Sequence, residues 1–172
     1  MNRRRDLRGV LFDLDGTLLD TAQDMAGALN RLRAAEGLEE LPFERIRPLV
    51  SHGAPRLIRL GFGEPDAAHY ETLRTRFLEF YRVALAVHTR LFAGFEEVLD
   101  AIEQAGLRWG IVTNKPGWLT NPLLEQLGLA ARCGCVVSGD TLAERKPHPL
   151  PLLHAAALIR LEPRDCVYLG DA

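Results

Sequence analysis

Four short apolar runs recur along the chain, each with the length and composition of a buried strand. They are the segments Gly9–Phe12, Arg108–Val112, Cys135–Val137 and Cys166–Leu169. Their apolar positions are continuous rather than alternating, which indicates strands that are covered on both faces.

Helix-like segments separate the last three runs. Residues 94–106 and 149–161 carry apolar side chains at helical spacing. A further helix is predicted to start at Asn121, with Pro122 in its first turn and Gly128 just past its end. Alternation of strands and helices predicts a parallel sheet with helices on both faces. The expected fold class is therefore α/β, with a three-layer, Rossmann-like sandwich as its core.

The segment between the first and second strands is nearly a hundred residues long, which is too long for a simple crossover. It contains helical patterns over residues 21–36, 55–60 and 67–87, and these predict a small helical bundle. We therefore expect a core domain formed by residues 1–19 and 88–172, and an inserted all-helical cap domain formed by residues 20–87.

Composition narrows the choice of partners. The formal net charge is −2 and 47% of the residues are hydrophobic, so the chain has enough apolar residues for a core and lacks a general basic field for nucleic acid. The three arginines of residues 3–5 are interpreted as a solvated tail without a function. No apolar stretch approaches the roughly 18 residues of a membrane span. We expect a cytoplasmic protein, monomeric or homodimeric, that binds neither nucleic acid nor membrane.

The three cysteines give no sign of a redox or metal site. Cys133 and Cys135 lack the C-x-x-C spacing, and Cys166 leaves the number odd. We interpret all three as structural thiols.

Two carboxylates, Asp13 and Asp15, directly follow the first predicted strand. The pair suits a nucleophile beside a proton donor, and Gly16 lets the chain turn while backbone amides stay close to a ligand. A calcium EF-hand loop requires glycine at its sixth position and glutamate at its twelfth, whereas here Gly16 is fourth and Asp24 is twelfth. The spacing therefore excludes the EF-hand interpretation.

Polar side chains also follow the other predicted strands. Thr113 and Asn114 follow the second, Lys146 comes after the third, and Asp171 follows the fourth. Since ligands of open parallel sheets bind at the carboxyl ends of the strands, these groups are expected to converge with Asp13 and Asp15. A hydroxyl, an amide, an ammonium and three carboxylates suit a phosphoryl group held with a divalent cation.

These motifs resemble the four motifs of the haloacid dehalogenase superfamily, in its phosphatase and phosphomutase branch. Residues 112–116 (VTNKP) and 146–149 (KPHP), together with the helical insert, further resemble its phosphoglycolate phosphatase branch. The resemblance implies that Asp13 attacks phosphorus to form an aspartyl-phosphate, and that Asp15 protonates the leaving oxygen and then activates water. It also implies that Mg²⁺ binds Asp13, the backbone carbonyl of Asp15, and Asp171.

The same resemblance assigns the remaining site residues. Thr113 and Asn114 would donate hydrogen bonds to phosphoryl oxygens, and Lys146 would stabilise charge on phosphate and on Asp13. Gly16 and Thr17 are predicted to lie against the phosphate.

The cap is expected to contribute His52, Gly53 and Arg56, of which Arg56 or His52 would contact a substrate anion. Members of the branch usually continue past Ala172, with a second acidic metal-site residue, so we expect this chain to be truncated at its C-terminal end.

The leading expectation for the substrate is a small phosphorylated metabolite, 2-phosphoglycolate. N-acetylmuramic acid 6-phosphate or another sugar phosphate remains an alternative, as does a phosphotransferase similar to β-phosphoglucomutase. A catalytically silent module that binds a phosphorylated ligand is the alternative from another class, although the intact motif residues argue against it.

Overall fold

The computed structural model of the chain describes residues 7–170, which divide into two compact units. Residues 7–18 and 91–170 form one, here called the core unit, and residues 19–90 form the other, the helical unit. From the sequence we expected the inserted domain at residues 20–87, and the helical unit spans residues 19–90.

Strands and helices alternate through the core unit, whereas the helical unit consists mainly of helices. Across the described residues the strands are β1 (Gly9–Phe12), β2 (Leu19–Asp20), β3 (Arg90–Leu91), β4 (Arg108–Val112), β5 (Val136–Val137) and β6 (Cys166–Leu169). The helices are α1 (Ala22–Ala35), α2 (Phe43–Ile46), α3 (Gly53–Phe62), α4 (Ala67–Val83), α5 (Phe95–Gln104), α6 (Gly117–Gln126) and α7 (Leu150–Leu158), with 3₁₀ turns at Arg47–His52 and Pro163–Asp165.

The core sheet has the strand order β5-β4-β1-β6, and every pairing within it is parallel. β1 is central and all four of its residues are buried, as its continuous apolar run predicts. Phe12, its last residue, pairs with Ile111 of β4 and Leu169 of β6. The strands therefore end level with one another, and the residues that follow them start from one edge.

Helices pack on both faces of this sheet. On one face Phe12 meets Phe95 of α5 edge to face, with ring centroids 5.9 Å apart, and Trp109 packs against Phe12 in the same manner. On the other face Leu11 and Val112 pack against Ala155 of α7 and against Ile159 and Leu161, which follow that helix. The predicted three-layer α/β fold is confirmed.

The helix after β4 begins earlier than predicted. We expected its start at Asn121, but α6 begins at Gly117, so that Pro122 lies inside the helix. The amide of Gly117 donates a hydrogen bond to Asp140 Oδ1 at 2.8 Å. This acceptor satisfies one of the free donors of the first turn from a position remote in sequence, which local composition does not reveal.

The helical unit is built on α1, which packs against α3 and α4. Leu29 and Leu32 of α1 and Phe77 of α4 are fully buried, and the Phe77 and Tyr81 rings stack with centroids 6.4 Å apart. Phe77 and Tyr81 therefore belong to the core of the helical unit, whereas Tyr70 and Phe80 of the same helix are half-buried. α4 ends at Val83, earlier than the predicted residue 87, because the chain after it turns to meet a buried carboxylate in α1.

That carboxylate is Asp24, only 4% exposed. It accepts hydrogen bonds from the amides of His88 and Thr89, at 3.0 and 2.8 Å, and from the Thr89 hydroxyl at 2.7 Å. A charge removed from water needs such donors to be tolerated. Asp24 therefore anchors the segment after α4 to the first turn of α1.

Asp24→Ala is expected to lower the free energy of unfolding by at least about 2 kcal/mol, because three donors would lose their acceptor and two of them belong to the buried Thr89. Urea denaturation measures the loss. Asp66→Ala is the matched control: Asp66 caps α4 at an exposed position by accepting from the His69 amide, and its removal should cost about 1 kcal/mol. Equal losses in the two variants would contradict the anchoring role.

The cysteine side chains behave as packing groups. Cys135 is buried against the α7 face of the sheet, and burial raises the pKa of its thiol to about 11. Burial also raises the pKa values of the Cys133 and Cys166 thiols.

Because the thiolate is the reactive form, Cys135 is expected to resist iodoacetamide in the native protein at pH 8, where about one thiol in a thousand is ionised. Mass spectrometry of native and urea-unfolded samples measures this. Labelling of native Cys135 at the unfolded rate would be the contrary result.

Candidate active site

The chain leaves β1 through a tight turn that carries the first two predicted residues. The Asp13 amide donates to the Leu169 carbonyl at 2.8 Å, which extends the pairing of β1 and β6, and Asp13 Oδ1 accepts from the Leu14 amide at 2.8 Å. Gly16 has φ 83°, a conformation that favours glycine. Thr17 lies partly buried in the same turn.

Asp13 is paired with Lys146. The Lys146 Nζ lies 2.7 Å from Asp13 Oδ1, and their side chains are 12% and 9% exposed. Burial raises the pKa of Asp13, although the Lys146 ammonium opposes this rise. Lys146 Nζ also donates to the Tyr168 hydroxyl at 2.7 Å, so β6 fixes the lysine from the other side.

Thr113 and Asn114 follow β4 at the same edge. Thr113 is buried, its amide donates to the Val137 carbonyl at 2.9 Å, and its Oγ1 accepts from the Lys115 amide at 3.1 Å. The Asn114 side-chain amide donates to the Lys146 backbone carbonyl at 3.0 Å. Asn114 thus contacts the loop that carries the lysine.

Asp15 also has a lysine partner, which the sequence analysis missed. The Lys115 Nζ lies 2.6 Å from Asp15 Oδ1, and the two side chains are 4% and 14% exposed. A signal was present in the sequence: the chain contains 19 arginines but only two lysines, Lys115 and Lys146. Each of these lysines pairs with one of the two motif aspartates.

The loop after β5 is fastened to the end of β4 through backbone contacts. The Gly139 amide donates to the Lys115 carbonyl at 2.9 Å. A β-carbon at Gly139 would lie 2.2 Å from the Asn114 carbonyl oxygen, so only glycine permits this approach. The approach brings the loop that bears Lys146 against the residues after β4.

The remaining predicted residues are placed as follows. Asp171 lies outside the described residues. His52 ends a 3₁₀ turn of the helical unit and Arg56 lies in α3, and both are exposed. Gly53 has φ 68° at the start of α3. Their predicted substrate contacts stay predictions.

Oxygen atoms dominate the groups available to a cation. The Asp13 carboxylate and the Asp15 backbone carbonyl are hard oxygen donors, the type that Mg²⁺ prefers, and so the donor chemistry fits that ion. Over residues 7–170, no three His, Cys, Asp or Glu side chains cluster in a way that would hold a metal by themselves. In the same range, no helix is long and apolar enough to span a membrane.

Comparison with known proteins gives the class of this chain. The family model for haloacid dehalogenase-like hydrolases matches residues 7–172. A protein of Xylella fastidiosa named phosphoglycolate phosphatase is 49% identical over 164 residues, which cover 95% of this chain and 72% of that protein. An N-acetylmuramic acid 6-phosphate phosphatase of Pseudomonas aeruginosa is 42% identical, covering 98% and 75%.

Solved structures agree with this result. A predicted phosphoglycolate phosphatase from Haemophilus somnus has a TM-score of 0.81 at 25% identity, with 96% of this chain and 77% of that chain covered. A haloacid dehalogenase-like hydrolase from Bacteroides fragilis has a TM-score of 0.85 at 21% identity, covering 97% and 80%, and shows the fold. The chain belongs to the haloacid dehalogenase-like hydrolase family, which confirms the resemblance drawn from the motifs.

Gly139→Ala is expected to lower the free energy of unfolding by about 2 kcal/mol or more, because the clash is with backbone that cannot rotate away. Urea denaturation measures the change. Gly27→Ala is the matched control: Gly27 lies in α1 with open space around its α-carbon, and alanine there should stabilise by up to about 1 kcal/mol. A neutral Gly139→Ala would show that the loop does not need this close approach.

Proposed function

We propose that this chain is a Mg²⁺-dependent phosphoric monoester hydrolase that acts through an aspartyl-phosphate on Asp13. The observation that carries the proposal is the pair of carboxylates at the end of β1, Asp13 and Asp15, each with its own lysine within 2.7 Å. The family membership and the names of the relatives support the same class.

In this mechanism Asp13 is the nucleophile. Its carboxylate is oriented by the Leu14 amide and by Lys146. Because few other rotamers are accessible, little conformational entropy is lost when the carboxylate attacks phosphorus. Lys146 also offsets the repulsion between Asp13 and a phosphate dianion. The Thr113 hydroxyl and the Asn114 region lie at the adjoining strand end and would donate to phosphoryl oxygens.

Asp15 is the general acid and then the general base of the reaction. It gives a proton to the leaving oxygen as the bond to phosphorus breaks, and it then takes one from the water that attacks the aspartyl-phosphate. The two residues occupy one turn, so the acid and the nucleophile keep a fixed spacing.

Family phosphatases generally use Mg²⁺, and here Asp13, the Asp15 carbonyl and Asp171 would hold it. When bound, the ion supplies positive charge that stabilises the transferring phosphoryl group. Gly16 and Thr17, in the turn after β1, would lie against the phosphate.

For the substrate we propose 2-phosphoglycolate, as in the relatives that carry that name at 49% identity. N-acetylmuramic acid 6-phosphate is the second candidate, because two relatives at 42% identity are named for it. His52, Gly53 and Arg56 of the helical unit are the proposed determinants of this choice.

Phosphate release from both compounds, with Mg²⁺ and with EDTA, tests the proposal. Asp13→Asn is expected to lower kcat by about 10³-fold or more, since an amide cannot act as the nucleophile. Asp100→Asn is the matched control: Asp100 lies on the exposed side of α5, where it binds Arg132 at 2.6 Å, and its variant should keep wild-type activity. Activity that survives Asp13→Asn or EDTA would overturn the mechanism.

A further inference from the structure

The two lysines of this chain are both used at one sheet edge. All other basic side chains that are always charged are arginines, 19 of them, and several make ion pairs on the surface of their unit. At these surface positions arginine supplies the positive charge. An ammonium at positions 115 and 146 points to a requirement that a guanidinium does not meet.

The backbone of Lys115 is held firmly. Its amide donates to Thr113 Oγ1 at 3.1 Å, and its carbonyl accepts from the Gly139 amide at 2.9 Å and from Thr120 Oγ1 at 3.3 Å. The side chain is 4% exposed, which leaves it little freedom to move. Its ammonium is thus a fixed point from which Asp15 can be oriented.

Asp15 needs such a point more than Asp13 does. Asp13 is oriented by the neighbouring Leu14 amide as well as by Lys146. Within residues 7–170, the Asp15 carboxylate is oriented by its contact at 2.6 Å with Lys115 Nζ. A proton donor must lie within hydrogen-bond reach of one particular oxygen, so loss of its rotamer lowers the rate directly.

The choice of lysine follows from the geometry of the contact. A guanidinium forks across both oxygens of a carboxylate, while an ammonium acts as a point charge and engages one. Lys115 engages Oδ1 of Asp15. Its partner oxygen is then left for the group that exchanges a proton with Asp15.

We infer that Lys115 is a positioning residue that holds the Asp15 carboxylate in the orientation required for proton transfer. The inference rests on the proposed function. It assigns Lys115 no direct contact with the substrate, and it therefore predicts that the effect of removing Lys115 passes through Asp15.

A double-mutant cycle tests this. Lys115→Met is expected to lower kcat on the preferred phosphomonoester by about 10²-fold, within the range of general acid–base effects, with KM changed less than about threefold. Added to Asp15→Asn, the same change should cost no more than about threefold, because coupled residues are not additive. Losses that multiply in the double variant, or a change confined to KM, would overturn the inference.

A second measurement needs no activity and no folded Lys115 variant. Reductive methylation with formaldehyde and cyanoborohydride, followed by mass spectrometry of the native chain, reports Lys115 and Lys146 separately. Asp15→Asn is expected to speed modification of Lys115 on the order of tenfold, since a buried charge loses its partner, and to leave Lys146 unchanged. Asp13→Asn should do the reverse.

Equal labelling of Lys115 in the wild type and in Asp15→Asn would overturn the inference. Failure of the proposed function is recognised separately, because it appears as phosphate release that does not depend on Asp13 while the labelling pattern persists.

Discussion

The core unit depends on placing two carboxylates at the end of one buried strand without leaving either charge uncompensated. β1 is covered on both faces and hydrogen-bonded on both sides, and the two carboxylates that follow it are largely removed from water, with side-chain exposures of 9% for Asp13 and 14% for Asp15. An ionised acid is tolerated there only with a close partner. Lys146 and Lys115, at 2.7 and 2.6 Å, meet that requirement for Asp13 and Asp15.

The strands and loops around β1 position these two ammonium groups beside the carboxylates. Lys115 comes from the strand next to β1, so it needs only the short turn after β4. Lys146 lies in the loop after β5, which is one strand further from β1. That loop must extend toward β1 for Lys146 to contact Asp13. The contact between Gly139 and Asn114, the Asn114 hydrogen bond to the Lys146 carbonyl, and Tyr168 of β6 together hold it there.

The sequence predicted the four strands of the core sheet well, and the helix boundaries less well. It did not predict β2 and β3, which are two residues long and form a separate two-stranded sheet. Continuous apolar runs marked β1, β4 and β6 at their observed bounds. The expected burial on both faces is found for β1 and β4, whereas Val167 and Leu169 of β6 are exposed, because β6 lies at the edge of the described sheet. The start of α6 was wrong, since it depends on Asp140, a residue that follows a later strand. The end of α4 was wrong for a similar reason, because the chain leaves the helix to reach Asp24 in α1.

Which chemical groups follow each strand can be read from the sequence, and it follows that Asp13, Asp15, Thr113 and Lys146 share an edge of a parallel sheet. Strand periodicity and strand ends are properties of short segments of sequence, so they can be recognised from the segments themselves and from the resemblance of their motifs to a family. The pairing of the charges depends on the three-dimensional fold. Asp15 and Lys115 are 100 positions apart, and whether they meet depends on the order and register of β1 and β4. A salt bridge requires its two charged atoms to lie within a few ångströms of each other. That distance is set by the packing of the sheet, so a sequence pattern does not specify it.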